Sequence, residues 1–253
     1  MLLAKIKQAE RENHGNLGVA RMHKELRENY HTQVSRRWVQ RIMHENGIKA
    51  RRCSQFKPQT TKADPKETAF PNLLEQHFVV ERPDQVWLAD ITYVRVGTKW
   101  AYLAVVLDLY NRKPVGWAFG TRPSAELACT ALQRALTRCK PAAGLIHHSD
   151  RGSQYTSKSY RKLLELHSVR GSMSRKGNPY DNAPMESFFK TLKVEWVYWH
   201  TYRTMEEARR SLFYYIEVYY CCRRLHSSLD YRTPKNRDIQ RMTEHTRRLR
   251  CPA

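Results

Sequence analysis

Residues 86–96, 100–109 and 114–119 form three consecutive runs rich in β-branched and aromatic residues, broken at Gly97 and Asn111. Runs of this kind predict three strands in meander order. Behind them the pattern alternates. Residues 124–139 read as a helix started by Ser124 and stopped before Pro141, and 144–148 as a short apolar strand. Residues 157–167 read as another helix, 169–173 as a strand, and a long helical stretch opens at Ala183. Three strands followed by alternating helix and strand predict an α/β fold with a mixed sheet.

The segment before this sheet is different. Val19, Met22, His23 and Leu26 follow the spacing of one helical face. Ser35 offers an N-cap, Trp38, Val39, Ile42 and Met43 form the next apolar stripe, and Gly47 is a natural stop. Arg36, Arg37, Gln40 and Arg41 take the other face. Two short helices, the second basic on its outer side, suggest a helix-turn-helix, though an ordinary helical pair with a solvated face has the same spacing. Residues 49–62 follow with five basic residues and no acid, including Arg51 and Arg52, and read as a basic linker.

Charge narrows the class of partner. The 253-residue chain carries 45 Lys+Arg against 24 Asp+Glu, a formal net charge of +21. Both ends are basic: residues 1–62 hold 14 Lys+Arg and 5 Glu, and residues 221–253 hold 9 Lys+Arg and 3 acids. With 41% hydrophobic and 11% aromatic residues the chain can build a core, which excludes a wholly disordered basic tail. A balance this basic points to a polyanion, most often nucleic acid. No apolar stretch approaches the ~20 residues of a spanning helix, and the N-terminus turns charged after a few apolar residues. The expected location is cytoplasmic, with no membrane partner. Six cysteines without a C-x-x-C pair support neither a zinc site nor a disulfide framework, so reduced thiols are expected.

Three acids stand where chemistry could gather. Asp90 lies inside the first strand between Ala89 and Ile91, a poor place for a carboxylate unless it is paired or ligating. Asp150 follows directly after a later strand, and ligands collect at the carboxyl ends of parallel strands. Glu186 lies in the first turn of the helix opened by Asn182 and Pro184. On that helix Glu186, Lys190 and Lys193 share one face, while Met185, Phe188, Phe189, Leu192 and Trp196 form another. A carboxylate followed by two lysines suits a phosphate backbone passing over the helix, but periodicity alone favours a solvated face with Glu186 and Lys190 as an i,i+4 pair. Converging carboxylates can hold two divalent cations roughly 3.5–4 Å apart for in-line phosphodiester displacement, and hard oxygen ligands favour Mg²⁺ or Mn²⁺. Asp108 and Asp181 read as turn and cap residues. His147 and His148 read as structural residues at a strand edge. Arg151, Asn178 and Tyr180 lie in loops beside the acids.

These residues carry a resemblance. W-L-A-D-I-T-Y (87–93), H-S-D-R-G-S-Q-Y (148–155) and the stretch 174–193 containing Y-D-N-A-P-M-E-S-F-F-K resemble the DDE transposase and retroviral-type integrase superfamily. Within it they are most similar to the orf B-type transposases of bacterial insertion sequences. Between Asp150 and Glu186 lie 35 residues, the interval of the family's D-D-35-E triad. R-R-L-H-S-S-L-D-Y-R-T-P (223–234) matches its closing motif, and G-V-A-R-M-H-K-E-L with V-S-R-R-W-V-Q-R-I-M-H-E-N-G-I its helix-turn-helix segment. Cys221 and Cys222 stand where relatives usually have Tyr-Asn, and Asp230 where a Gly is usual.

The resemblance implies a ribonuclease-H-like core, with Asp90, Asp150 and Glu186 as catalytic and metal-holding triad and two Mg²⁺ or Mn²⁺ ions. It implies metal-dependent cleavage at the ends of an insertion sequence and transfer of the freed 3′-OH ends into other DNA. Its domain plan is a helix-turn-helix segment (1–50), a basic linker (51–80), a catalytic core (81–200) and a helical basic extension (201–253). Lys190, Lys193, Arg36, Arg37, Arg41, Arg51 and Arg52 are the expected DNA contacts. The expected partners are double-stranded DNA (terminal inverted repeats and target), an upstream orf A product or its frameshift fusion, and further copies of the chain on DNA. Two other readings fit the residues: an inactive DNA-binding regulator of transposition, and a purely hydrolytic nuclease on the same fold.

Overall fold

The three apolar runs pair as their sequence demands. In the computed structural model, which describes residues 1–51 and 69–239, they form β1 (Val86–Val96), β2 (Lys99–Asp108) and β3 (Pro114–Gly120). β1 and β2 are antiparallel with Asp90 opposite Val105 and Arg95 opposite Trp100, and β2 pairs antiparallel with β3. The segments α4 (Ala125–Cys139), β4 (Ile146–Ser149), α5 (Ser153–Thr156), α6 (Lys158–Leu166) and β5 (Arg170–Met173) follow. β4 runs parallel to β1 and β5 parallel to β4, giving the order β3-β2-β1-β4-β5. This five-stranded mixed sheet flanked by helices is the ribonuclease-H-like arrangement.

Local chemistry starts the helices where expected. Ser124 Oγ accepts from the Leu127 N–H at 3.2 Å, and Ser157 Oγ from the Tyr160 N–H at 3.3 Å. Trp87, Ala89, Ala104 and Val106 pack with Leu127, Ala128, Ala131, Leu132 and Ala135 of α4 into one buried cluster. The approach is close at Gly116: a Cβ there would stand 2.3 Å from the Ala131 carbonyl oxygen and 2.6 Å from the Ala135 nitrogen. No larger residue fits without moving backbone.

The helical stretch from Ala183 is shorter than its sequence suggests. It divides into α7 (Ala183–Glu195), a short 3₁₀ turn (Val197–Trp199), α8 (Met205–Phe213) and a π-helical segment (Tyr214–Tyr220). Trp196 leaves helical geometry at φ −137. Its indole donates to Ser211 Oγ at 2.8 Å and packs on His200, Tyr214 and Tyr215. Burying this aromatic outweighs one more turn, because propensity is worth only tenths of a kcal/mol per residue. Glu217 then receives the Trp117 indole N–H at 3.0 Å and both Arg138 nitrogens at 3.1 Å.

By contacts the chain forms two units. One holds Phe56–Glu217, and the other joins the N-terminal residues to those from Val218 onward. In the latter, α1 (Leu2–Glu12), α2 (Val19–Glu28) and α3 (Arg36–Glu45) bury Ile6, Ala9, Met22, Leu26, Val39 and Met43 together. Ser35 caps α3 as expected, accepting from the Trp38 N–H at 3.2 Å. The sequence did not reveal α1. Trp38, assigned to the apolar stripe, is 47% exposed instead. It lies on the outer side of α3, so Val39 and Met43 fill the buried inward positions, with Ile42 partly buried against the same cluster.

Candidate active site

Strand pairing brings two of the acids together. The last rung of the parallel β1–β4 pair is Ala89 with Ser149, so Asp90 and Asp150 are the next residues on neighbouring strands. β4 ends there, while β1 continues against β2, which leaves Asp90 on a strand flank open to the loop that follows β4. The Asp90 carboxylate accepts from the Ile91 N–H at 2.7 Å, and that of Asp150 from the Gly152 N–H at 2.9 Å. Both residues are half-buried.

Glu186 comes from the first turn of α7 and is exposed. The start of α7 is tied to β1 by Asn182, whose Nδ2 donates to the Ala89 carbonyl at 3.3 Å. Asn182 opens the helix at the N-cap position, as the sequence suggests. It precedes the helix without any side-chain cap bond, because its amide reaches across to the strand instead. Its Oδ1 is buried with no hydrogen-bond partner among the described residues.

Electrostatics couples the three acids. Burial, then the charge of Asp150, pushes the Asp90 pKa well above the ordinary carboxylate value, and Glu186 adds to the effect. The Ile91 N–H and Lys193 pull against it. Repelling carboxylates of this kind fit a bound divalent cation, which favours their charged forms. Hard carboxylate oxygens suit Mg²⁺ or Mn²⁺. Among the described residues, no group of three His, Cys, Asp or Glu side chains stands close enough together to hold an ion. The structure therefore brings the acids into one electrostatic site without closing them into a ligand cage.

The lysines of α7 separate. Lys190 is exposed. Lys193 is half-buried with Nζ 3.6 Å from the centre of the Tyr93 ring. Burial lowers its pKa to about 8, with Asp90 drawing it upward. Met185, Phe188, Phe189 and Leu192 are buried, matching the apolar face read from the sequence.

The loop between β5 and α7 is held by Asp181. Its fully buried carboxylate takes the Arg175 guanidinium at 2.8 Å, the Arg175 N–H, Gln76 and Asn72. These bonds, Arg175 foremost, hold its pKa well below the usual carboxylate range. This clasp, which reaches back to residues 72–76, was not legible in the sequence, where Asp181 looked like a cap. Asp108 accepts from the N–H groups of Asp84, Tyr110 and Asn111, and burial raises its pKa to about 6. His147 meets Tyr160 Oη at 3.1 Å, and His148 lies between the hydroxyls of Ser172 and Ser174. Burial lowers the two pKa values to about 3 and about 4, so both rings are neutral at pH 7 and serve packing. Arg151 donates to the Ser174 carbonyl at 2.8 Å, Asn178 accepts from the Tyr180 N–H, and Tyr180 is exposed.

The basic residues of the other unit fall in two groups. Arg36, Arg37 and Arg41 are exposed on the outer side of α3. Arg37 and Arg41 line an open cleft of about 720 Å³ with Trp38, Gln40 and His44. Arg51 is half-buried and folds against Gly15. Arg52, with most of the basic linker, lies outside the described residues.

Several known proteins are similar to this chain. An integrase core domain family matches residues 80–179, a second integrase core model matches 167–234, and an HTH-like domain matches 1–55. The transposase of insertion sequence element IS904 from Lactococcus lactis is 40% identical over 93% of this chain and 92% of its own length. The transposase InsF of insertion sequence IS3A from Escherichia coli is 44% identical over 73% of this chain and 64% of its own. Among solved structures, a catalytic core of BIV integrase aligns with a TM-score of 0.45 at 18% identity, over 65% of this chain and 98% of that one. An HTLV-2 integrase core in complex with magnesium aligns at 0.46 and 12% identity, over 61% and 95%. No helix of the described residues is long and apolar enough to cross a membrane. With a mixed sheet, an acid pair at adjoining strand ends and near-full-length similarity to IS904 transposase, the chain belongs to the transposases of bacterial insertion sequences, enzymes of DNA transposition built on an integrase core.

Proposed function

We propose that Asp90, Asp150 and Glu186 carry the DNA-cleaving and strand-transferring chemistry of this transposase. The register that sets Asp90 beside Asp150, with Glu186 coupled to them, supports this reading most directly. The three carboxylates would hold one or two Mg²⁺ or Mn²⁺ ions. When bound, the ions supply charge stabilisation for an in-line attack on a phosphodiester by water or a 3′-OH. Asp90 and Asp150 are oriented by strand pairing and by their bonds to the Ile91 and Gly152 N–H groups. Asn182 holds the start of α7 against β1 and so positions Glu186. Lys190 and Lys193 lie one and two turns further along α7 and would take backbone phosphates of element-end DNA.

Arg36, Arg37 and Arg41 would meet duplex DNA through α3, with Arg51 and Arg52 extending the basic track. Residues 1–50 then act as the DNA-binding segment, 51–80 as linker, 81–200 as catalytic core and 201–253 as basic extension. Terminal repeats and target DNA are the substrates, further copies of the chain and an orf A product the partners, and the cytoplasm the site of action.

The test is nicking of supercoiled plasmid with Mn²⁺ by the wild type beside Glu186→Gln prepared in the same way. Metal-dependent nicking lost in the variant is the expected result. Equal nicking by both would remove Glu186 from the site.

A further inference from the structure

A second site lies beside the acids, where the β1–β2 hairpin meets the end of α7. Gly97 N–H donates to the Tyr202 carbonyl at 2.8 Å and closes a cavity of about 360 Å³ between these elements. Its walls include Tyr93, Arg95, Trp100, Lys193, Tyr198 and Tyr202, and no acid lines it. Trp100 and Tyr198 are 44% and 41% exposed, a large apolar surface to leave in water. Tyr93 and Trp100 meet edge to face at 5.0 Å. Arg95 stands 5.5 Å over Trp100, its cross-strand partner, and Lys193 over Tyr93.

Flat rings flanked by cations are what a nucleotide requires: a face for the base and charge for its phosphate. Bases inside a duplex present only their edges, so stacking here needs a base that has left the pair. Tyr93 is three residues along β1 from Asp90, an odd offset that puts the two side chains on opposite faces of the strand, so the link between cavity and acids runs through Lys193 of α7 rather than along β1. Lys193 borders the cavity and acts electrostatically on Asp90, so one strand can reach both places. We infer that this cavity takes an unpaired base of the DNA strand whose scissile phosphate lies at the acids. The inference rests on the catalytic reading above and adds the state of the DNA that the site accepts: locally opened.

The test measures binding, with metal chelated, of a fully paired duplex and of the same duplex with a short unpaired thymidine tail. Wild type is expected to prefer the tailed DNA. Trp100→Ala should lose about tenfold on tailed DNA, a small value for base–aromatic stacking, and change little on the paired duplex. Trp100→Phe should restore most of the loss. A 5-iododeoxyuridine in the tail should photo-crosslink to the peptide bearing Trp100 or Tyr198. No preference for tailed DNA in the wild type, equal loss on both DNAs in Trp100→Ala, or crosslinks only to other peptides would each overturn the proposal. Because no chemistry is needed, a tail preference without nicking sinks only the catalytic reading, and nicking lost in Glu186→Gln without a tail preference sinks only this one.

Discussion

Lys193 shows how one side chain can answer to two neighbours. Burial lowers its pKa to about 8, and the Asp90 charge resists that shift. The group is therefore cationic at pH 7 and loses its proton as pH rises through about 8. Its folded pKa lies below the ordinary 10.5, so between those values the unfolded chain binds the extra proton. Stability from this group rises with pH across that window, while its attraction for phosphate fades. With metal chelated, the salt dependence of duplex binding should become shallower by about one phosphate contact between pH 7 and about pH 9.5. Lys193→Gln should start at the shallower slope and stay there. The same pH response in both proteins would remove Lys193 from the DNA contacts. Asp230 carries a different residue-scale lesson. It sits at φ +53, followed by Tyr231 at φ +59, in the left-handed region that favours glycine. That geometry suits the glycine that the family resemblance leads one to expect at position 230.

At the scale of elements, the contact between β3 and α4 tolerates the least change. The Gly116 position meets backbone atoms of α4 below 3 Å, whereas a Cβ at Gly120 would meet only Leu127 Cδ1 at 3.1 Å. Gly116→Ala should cost at least about 2 kcal/mol, and Gly120→Ala less than about 1, because a side-chain methyl yields and a helix backbone does not. Urea unfolding of the two variants checks this, and equal midpoints would show that α4 moves freely. The same element pair shows what pattern reading captures. β1 to β3 and α4 fall within one or two residues of their expected bounds, since alternation, caps and stop residues are local signals. The end of α7 at Glu195 could not be read in the same way. It depends on Trp196 finding Ser211, Tyr214 and Tyr215, partners that only the folded chain brings near.

At the scale of the molecule, sequence order and compactness part company. Residues from Val218 onward group with the N-terminal helices. There Tyr219 Oη donates to the Asn13 carbonyl at 3.3 Å and receives Asn16 Nδ2 at 3.3 Å, and its ring meets His14 edge on. Tyr219→Ala removes a fully buried ring and should cost about 3 kcal/mol or more. Amide exchange should rise across α1 and α2 while β1 and β2 keep their protection; equal loss in both units would contradict the division. The amino-acid sequence by itself determined the broad plan: three β runs followed by alternating helix and strand, a polyanion-seeking charge, and three acids whose interval carries a family resemblance. Those are properties of composition and short spacing, which survive without a fold. Only the tertiary structure decided that Asp90 and Asp150 are neighbours across parallel strands, that Lys193 turns inward over Tyr93, and that Asp181 clasps a loop to residues 72–76. Each of these joins residues far apart in the chain, and such contacts are chosen by packing and burial, which no local pattern encodes.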